Sequence, residues 1–160
     1  MSVVYMTRQR VKELEEEIRE LKTKARAEVA QKIADARSHG DLSENADYDA
    51  AKHEQELLEI KIHKLESTLG NVKVIEAKDM PDDNCVYILT TVKLLNKKVN
   101  KQVEFTLVSA EEADFEKNKL SVTSPLGKAL LGKTIGDVIE TKAPAGMISY
   151  EILEVKRAIE

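Results

Sequence analysis

Apolar residues recur every three or four positions along the first part of the chain, a spacing that predicts a long amphipathic helix. They form one heptad seam, with successive steps of 3, 4, 3, 4, 4, 4 and 3 residues. The seam consists of Val11, Leu14, Ile18, Leu21, Ala25, Val29, Ile33 and Ala36. Consecutive steps of four near Ala25–Ile33 are a stutter, which locally unwinds a supercoil. Thr7 suits the N-cap, and Gly40 suits the end of the helix.

A second helical pattern follows after a short connection and ends at Gly70. Its apolar face consists of Ala51, Gln55, Leu58, Ile62, Leu65 and Leu69. Because the connection is short, the two helices must be antiparallel neighbours, which gives a hairpin about 45 Å long at 1.5 Å per residue. Small residues gather at its far end and would let the backbones approach closely: Ala34, Ala36, Ala46, Ala50 and Ala51.

From Asn71 onward the pattern changes to short runs of strand-forming residues. Strands are predicted at 72–75, 85–89, 92–95, 103–108, 120–123, 138–141 and 149–155. Ser124 followed by Pro125 starts a short helix over Leu126–Leu131. The fold class is therefore α+β, with an antiparallel two-helix coiled coil in residues 1–70 and an antiparallel sheet domain with one short helix in residues 71–160.

Composition and net charge exclude several classes of function. The 160 residues carry a formal net charge of −4, which argues against a protein that coats nucleic acid by charge alone. A single cysteine, Cys85, excludes an internal disulfide and a cysteine zinc site and favours a reducing cytoplasm. We find neither a signal peptide nor an apolar run long enough for a membrane span, and His39, His53 and His63 lack the spacing of a metal site.

Two carboxylates, Asp41 and Glu44, lie between the helical patterns, and two interpretations of them are open. In the first, Asp41 is the N-cap of the second helix and Glu44 completes a capping box, with Ser43 as a rival N-cap. In the second, they are oxygen ligands suited to Mg²⁺. Two such ligands alone would bind Mg²⁺ weakly, but they could complete a two-metal site for phosphodiester hydrolysis in another protein, with Arg37 and Lys52 contacting phosphate.

The segment Ala36–Lys52, with Gly40-Asp41-Leu42-Ser43-Glu44-Asn45 at its centre, resembles the signature of the bacterial transcript cleavage factors, the GreA/GreB family. A second segment, Ser124–Lys133 followed by Gly136-Asp137, is also similar to that family. The similarity runs from about Tyr5 to Val155. Ala27, Ser109 and Lys52 depart from the commoner residues there, which leaves the subtype less defined. The lack of an extended basic face on the coil favours GreA over GreB.

The resemblance implies a C-terminal domain of FKBP-like fold and a transcription elongation factor whose coiled coil enters the secondary channel of RNA polymerase. Asp41 and Glu44 would there help hold a Mg²⁺ ion shared with the polymerase and not bound stably by this chain alone. The polymerase's own active site would cut the 3′ end of backtracked nascent RNA. The chain would then be no enzyme by itself, and the loop at Ser124 and Pro125 would help it dock. We expect a cytoplasmic monomer.

Three alternative functions remain open. The C-terminal fold class could indicate a prolyl isomerase or chaperone, although only Tyr87, Phe105, Phe115 and Tyr150 could line an aromatic pocket. A non-cleaving regulator of the polymerase channel is the second, although the Asp-Leu-Ser-Glu-Asn sequence favours cleavage. A structural coiled-coil adaptor is the third, and it predicts that changes to Asp41 and Glu44 have no effect.

Overall fold

A computed structural model describes residues 3–39, 45–81 and 83–158 of the chain. Its internal contacts separate two compact units. One is helical and covers residues 9–71, and the other combines residues 1–8 with residues 72–160.

The helical unit contains two long helical segments, as the apolar spacing predicts. The first consists of α1 (Arg8–Glu20), a π-helical turn (Leu21–Ala25) and α2 (Arg26–Arg37), and the second is α3 (Ala46–Gly70). Every predicted position of both apolar faces is buried or half-buried. The heptad spacing therefore identified the packed faces correctly, because side chains three and four residues apart share one side of a helix.

The irregularity in the first helix lies at the π-helical turn Leu21–Ala25, slightly before the predicted stutter at Ala25–Ile33. A π turn holds more residues than an α turn, so it accommodates a step of four without moving Leu21 or Ala25 off the packed face. Within it, the Thr23 hydroxyl donates to the Arg19 carbonyl oxygen at 2.8 Å. Side-chain bonds of this kind compete with the regular helical pattern.

Ion pairs between the two helices establish their antiparallel direction. In the three shortest pairs, the partner's number falls in the second helix as the residue number rises in the first. These pairs are Lys22–Glu66 at 2.7 Å, Arg26–Glu59 at 2.7 Å and Lys32–Glu54 at 2.9 Å. A longer pair, Glu17–Lys61 at 4.0 Å, departs from this order. These salt bridges are exposed, so each adds little stability, and the buried apolar face remains the main source of cohesion.

Small residues bring the helices together at the end of the hairpin near residues 36 and 51. Ala36 is 2% exposed and Ala51 is 5% exposed, and Ala51 packs with Val29 and Ile33. The other small residues of the predicted set, Ala34, Ala46 and Ala50, are exposed. The close approach therefore depends on two alanines of the five.

The other unit contains a five-stranded sheet. Its strands are β3 (Thr90–Asn96), β4 (Lys101–Val108), β5 (Lys119–Ser121), β6 (Val138–Ala143) and β7 (Gly146–Arg157). Their order across the sheet is β5-β4-β3-β7-β6. The predicted wholly antiparallel sheet is wrong at one edge, because β5 pairs parallel with β4. Two 3₁₀ turns between β4 and β5, at Ala110–Glu112 and Phe115–Lys117, bring the chain back so that β5 runs in the same direction as β4.

This unit also contains two short paired strands and a segment, 85–89, that was predicted to be a strand and is not one. β1 (Val4–Met6), which the sequence did not predict, pairs parallel with β2 (Val72–Val74), which it did. The predicted strand at 85–89 is wrong, since Cys85 forms only an isolated bridge with Thr134 and Leu89 has a φ of 64°. Val86 and Leu89 are apolar because they are buried in the core, not because they lie in a sheet.

The core of the sheet unit lies between the sheet and the short helix α4 (Pro125–Leu130). Leu130 of this helix is fully buried against a set of strand residues. That set includes Val92, Leu94, Leu107, Ile139 and Ile152. The predicted organisation, a helical hairpin followed by a sheet domain with one short helix, is thus confirmed.

Candidate functional site

The predicted metal-binding carboxylates, Asp41 and Glu44, lie outside the residues that the structure describes. The helix ends on either side of them are described: α2 ends at Arg37 and α3 begins at Ala46. The described part of the candidate site therefore consists of those two helix ends.

Asn45 is the N-cap of α3, with φ −90° and ψ 96°, and its Oδ1 accepts a hydrogen bond from the Tyr48 backbone N–H at 3.1 Å. The expectation that Asp41 or Ser43 caps this helix is therefore wrong. A helix that begins at Ala46 has its unpaired N–H groups within reach of residue 45. Asparagine ranks with aspartate and serine as an N-cap, so this signal was present in the sequence.

The same side chain also contacts the other helix. Asn45 Nδ2 donates a hydrogen bond to the backbone carbonyl oxygen of Ala36, in the last turn of α2. One partly buried amide thus satisfies a free N–H at the start of α3 and gives a second donor to the Ala36 carbonyl, which also accepts from the His39 N–H at 3.2 Å. This second bond could not be predicted from the sequence, because it depends on how the helices pack.

Arg37 and Tyr48 also link the two helix ends. The guanidinium carbon of Arg37 lies 5.7 Å from the centroid of the Tyr48 ring, which is cation–π distance. Tyr48 is half-buried and packs on the cluster of Val29, Ile33 and Ala51. Arg37 is exposed, so its guanidinium rests on the ring and still faces solvent.

Lys52 follows Tyr48 by four residues, one helical turn further along α3 and on the same side of the helix. It is exposed, and its Nζ donates to Gln55 Oε1 at 3.0 Å. A hydrogen bond to a neutral amide does not neutralise the positive charge of the lysine. Arg37 therefore lies over the Tyr48 ring, and Lys52 is one helical turn further along the same side of α3.

Acidic groups and a histidine lie near the same helix ends. His39 Nδ1 is 3.6 Å from Asp47 Oδ2, and both side chains are exposed. Among residues 3–39, 45–81 and 83–158, no three His, Cys, Asp or Glu side chains are arranged to hold a metal ion. Asp41 and Glu44 offer the oxygen donors that Mg²⁺ prefers, but two carboxylates are fewer than its coordination requires. The donor set thus fits an ion shared with a second protein.

The second candidate region, at Ser124 and Pro125, lies at the start of α4. Ser124 Oγ accepts from the Gly127 N–H at 3.0 Å and donates to the Ser121 carbonyl oxygen at 2.6 Å. A Cβ at Gly127 would lie 2.1 Å from that same carbonyl oxygen, so only glycine fits there. Pro125 occupies the first helical position and is exposed. The loop is therefore rigidly held, with Pro125 on its surface.

Family models match nearly the whole chain. Residues 4–74 match a model described as transcription elongation factor, N-terminal, and residues 80–157 match one described as transcription elongation factor, GreA/GreB, C-term. The chain belongs to the GreA/GreB family of transcription elongation factors. The resemblance stated from the two sequence motifs is thereby confirmed, and both halves match models of this one family, so an isomerase is not supported.

Curated relatives of the GreA/GreB family support the GreA side of that resemblance. A transcription elongation factor GreA of Chloroherpeton thalassium is 49% identical over 152 residues, which cover 95% of this chain and 96% of the relative. A transcription elongation factor GreA of Thermoanaerobacter pseudethanolicus is 50% identical over 154 residues, or 96% and 98% of the two chains.

Among solved structures, a GreA/GreB factor from Nitrosomonas europaea is 30% identical and covers 63% of this chain and 90% of its own, with a TM-score of 0.44. The GreA factor homolog of Thermus thermophilus is 23% identical over 97% and 99% of the two chains, also with a TM-score of 0.44. In the part of this chain that the structure describes, no helix has the length and apolar character needed to cross a membrane.

Proposed function

We propose that this protein acts on bacterial RNA polymerase and stimulates the polymerase's own hydrolysis of backtracked RNA 3′ ends. Its helical hairpin enters the secondary channel, and arrested elongation complexes then resume synthesis. Membership of the GreA/GreB family and the names of its relatives support a role in transcription elongation. Polymerase works in the cytoplasm of a bacterium, so the protein acts there.

One observation carries this proposal: the motif Ala36–Lys52 spans the turn of a long antiparallel hairpin. α3 alone has 25 residues and is about 37 Å long at 1.5 Å per residue. Two packed helices are a slender body, and the buried Ala36 and Ala51 keep it slender near residues 36–51. Such a hairpin suits the delivery of its turn into a narrow channel of another protein.

Asp41 and Glu44 are the residues that would hold Mg²⁺ together with ligands from the polymerase. When bound, the ion supplies Lewis-acid chemistry for phosphodiester hydrolysis. The contribution of this chain is to position two negative oxygen donors, since most of the rate enhancement in such sites comes from placement and electrostatics. The chain is a cofactor of the polymerase and not an enzyme alone, because two carboxylates provide neither a full ligand set nor a substrate pocket.

Arg37 and Lys52 contact phosphate groups of the RNA in this proposal. Both are exposed, and both lie on the side of the hairpin marked by the Tyr48 ring. Because the Tyr48 ring holds the Arg37 guanidinium, less side-chain entropy is lost when Arg37 meets a phosphate. Ser124 and Pro125 dock on the polymerase, which their rigid loop and the exposure of Pro125 support.

The test is transcript cleavage on a backtracked elongation complex, measured with and without the protein. Asp41→Asn with Glu44→Gln removes both charges and keeps the side-chain shapes. The double variant should lose stimulated cleavage and still compete with the unmodified protein for polymerase. A matched control, Asp49→Asn with Glu56→Gln, removes two exposed charges from α3 and should leave cleavage unchanged.

Two results would contradict this function. Stimulated cleavage by the Asp41→Asn, Glu44→Gln variant would show that these carboxylates are not the metal ligands. Binding of the unmodified protein to backtracked complexes without any cleavage would instead indicate a non-cleaving regulator of the channel.

A further inference from the structure

The side-chain amide of Asn45 makes two hydrogen bonds that the function proposed above does not use. Its Oδ1 accepts from the Tyr48 N–H of α3, and its Nδ2 donates to the Ala36 carbonyl oxygen of α2. The first bond is ordinary helix capping, which serine or aspartate could supply. The second requires an N–H donor of the right reach, which neither of those side chains provides.

The bond to Ala36 closes a short stretch of chain. Ala36 and Asn45 are nine residues apart in sequence, and both Asp41 and Glu44 lie between them. Glu44 directly precedes Asn45. Tying the two ends together removes conformations in which the ends separate, because loop closure reduces the entropy of the enclosed segment.

We propose that Asn45 is a positioning residue for transcript cleavage: its amide ties the end of α2 to the start of α3 and so restricts where Asp41 and Glu44 can stand. This inference rests on the function proposed above. Asn45 acts through those carboxylates and contacts neither RNA nor metal. Because misplacement of a catalytic group by about 1 Å can cost on the order of a hundredfold in rate, loss of the tie lowers the maximal rate of cleavage.

Two variants separate the tie from the cap. Asn45→Ser and Asn45→Asp both keep an oxygen that accepts from the Tyr48 N–H, and neither keeps an amide donor for the Ala36 carbonyl. Serine adds no charge, and aspartate preserves the size of the side chain. Gln31→Ala is the matched control, because it removes another side-chain amide donor from α2, one that bonds the exposed Asp35 carboxylate at 2.8 Å.

The first readout is cleavage of backtracked RNA at increasing concentrations of the full-length protein. Both Asn45 variants should lower the maximal rate about tenfold or more, with the half-saturating concentration within about twofold of the unmodified value, since the docking residues are untouched. Gln31→Ala should change neither. Thermal unfolding with little change in the Asn45 variants checks that the α3 cap is retained.

The second readout needs no activity. Ala34 and Ala50 are exposed positions on the two helices near residues 36 and 45. Spin labels at Ala34→Cys and Ala50→Cys, in a Cys85→Ala background, report the separation of the helix ends. The distance distribution should broaden in both Asn45 variants and stay as in the unmodified chain with Gln31→Ala.

Two results would overturn the positioning role: a maximal rate unchanged in both variants, or an unchanged distance distribution. A weaker half-saturating concentration at an unchanged maximal rate would also overturn it, because Asn45 would then act in binding. If the unmodified protein fails to stimulate cleavage, the proposed function fails, and the tie is judged on the label distances alone.

Discussion

The guanidinium carbon of Arg37 lies 5.7 Å from the centroid of the Tyr48 ring, which joins the last residue of α2 to the third residue of α3. The ring is held by packing on Val29, Ile33 and Ala51. A cation that would otherwise sample many rotamers is therefore placed over a fixed aromatic face. At an exposed site such a contact contributes about 0.5–1 kcal/mol.

A double-mutant cycle between Arg37 and Tyr48 should reveal this coupling. We expect Arg37→Ala and Tyr48→Leu to be coupled by about 0.5–1 kcal/mol in the free energy of unfolding, measured with urea. Tyr48→Phe keeps the aromatic face and should retain the coupling, which makes it the matched control. Strictly additive effects of Arg37→Ala and Tyr48→Leu would show that the two side chains are neighbours without interacting.

The helical hairpin could be predicted because its signal is local. The steps of three and four from Val11 to Ala36 fix which side of the helix packs, whatever the rest of the chain does. The N-cap of α3 could not be chosen in this way. Asp41, Ser43 and Asn45 are all good capping residues, and the choice depends on where α3 begins.

Contacts between residues far apart in the chain could not be predicted from the sequence. The parallel pairing of β4 with β5 depends on the path of the two 3₁₀ turns between them. The apolar residues at Val86 and Leu89 reflect burial in the core, which does not require a strand. The bond from Asn45 to Ala36 exists only because the packed helices bring an amide to a particular carbonyl.

The pair Arg26–Glu59 should make the stability of the hairpin depend on acid pH. The Arg26 guanidinium donates two hydrogen bonds to the Glu59 carboxylate, at 2.7 and 3.0 Å, and holds its pKa below the ordinary value of 4.5. Because the pKa is lower in the folded state than in the unfolded chain, the stabilisation is present above pH 4.5. It is lost as the pH falls below 4.5 through the lowered pKa.

Comparison with Glu59→Gln tests this dependence. The difference in the free energy of unfolding between the unmodified protein and Glu59→Gln should be largest near pH 6 and should shrink as the pH falls below about 4.5. Glu56→Gln, an exposed position of the same helix, is the control. A difference for Glu59→Gln that stays constant from pH 6 to pH 3 would contradict the role of this pair.

Tyr87 should ionise at unusually alkaline pH. Its hydroxyl donates to Asp83 Oδ2 at 2.7 Å, and this bond to a carboxylate is the main cause that raises the pKa of Tyr87 to about 12. The chain has four tyrosines and no tryptophan, so tyrosinate absorbance near 295 nm can be followed without interference. We expect one tyrosine to titrate near pH 12 and the step to disappear in Tyr87→Phe.

The same shift affects stability at alkaline pH. A pKa raised in the folded state stabilises the fold below the ordinary tyrosine value of 10, and this contribution is lost as the pH rises from 10 to about 12. The stability difference between the unmodified protein and Tyr87→Phe should therefore shrink over that range. Asp83→Asn should move the alkaline titration step toward pH 10. Four tyrosines that all ionise together near pH 10 in the unmodified protein would contradict the bond.

Gly127→Ala should disturb the loop that precedes α4. An added Cβ would lie 2.1 Å from the Ser121 carbonyl oxygen and 2.9 Å from Ser124 Oγ, so the backbone must move. Overpacking of this kind costs about 1–3 kcal/mol, and urea unfolding should show that loss. Since Ser124 and Pro125 are the proposed docking residues, the half-saturating concentration for cleavage should rise while the maximal rate stays nearly unchanged.

Gly70→Ala is the control for Gly127→Ala. A Cβ at this helical position meets nothing within 4 Å, so the substitution should be neutral or stabilising. Equal stability of Gly127→Ala and the unmodified protein would show that the close approach to Ser121 does not constrain this loop.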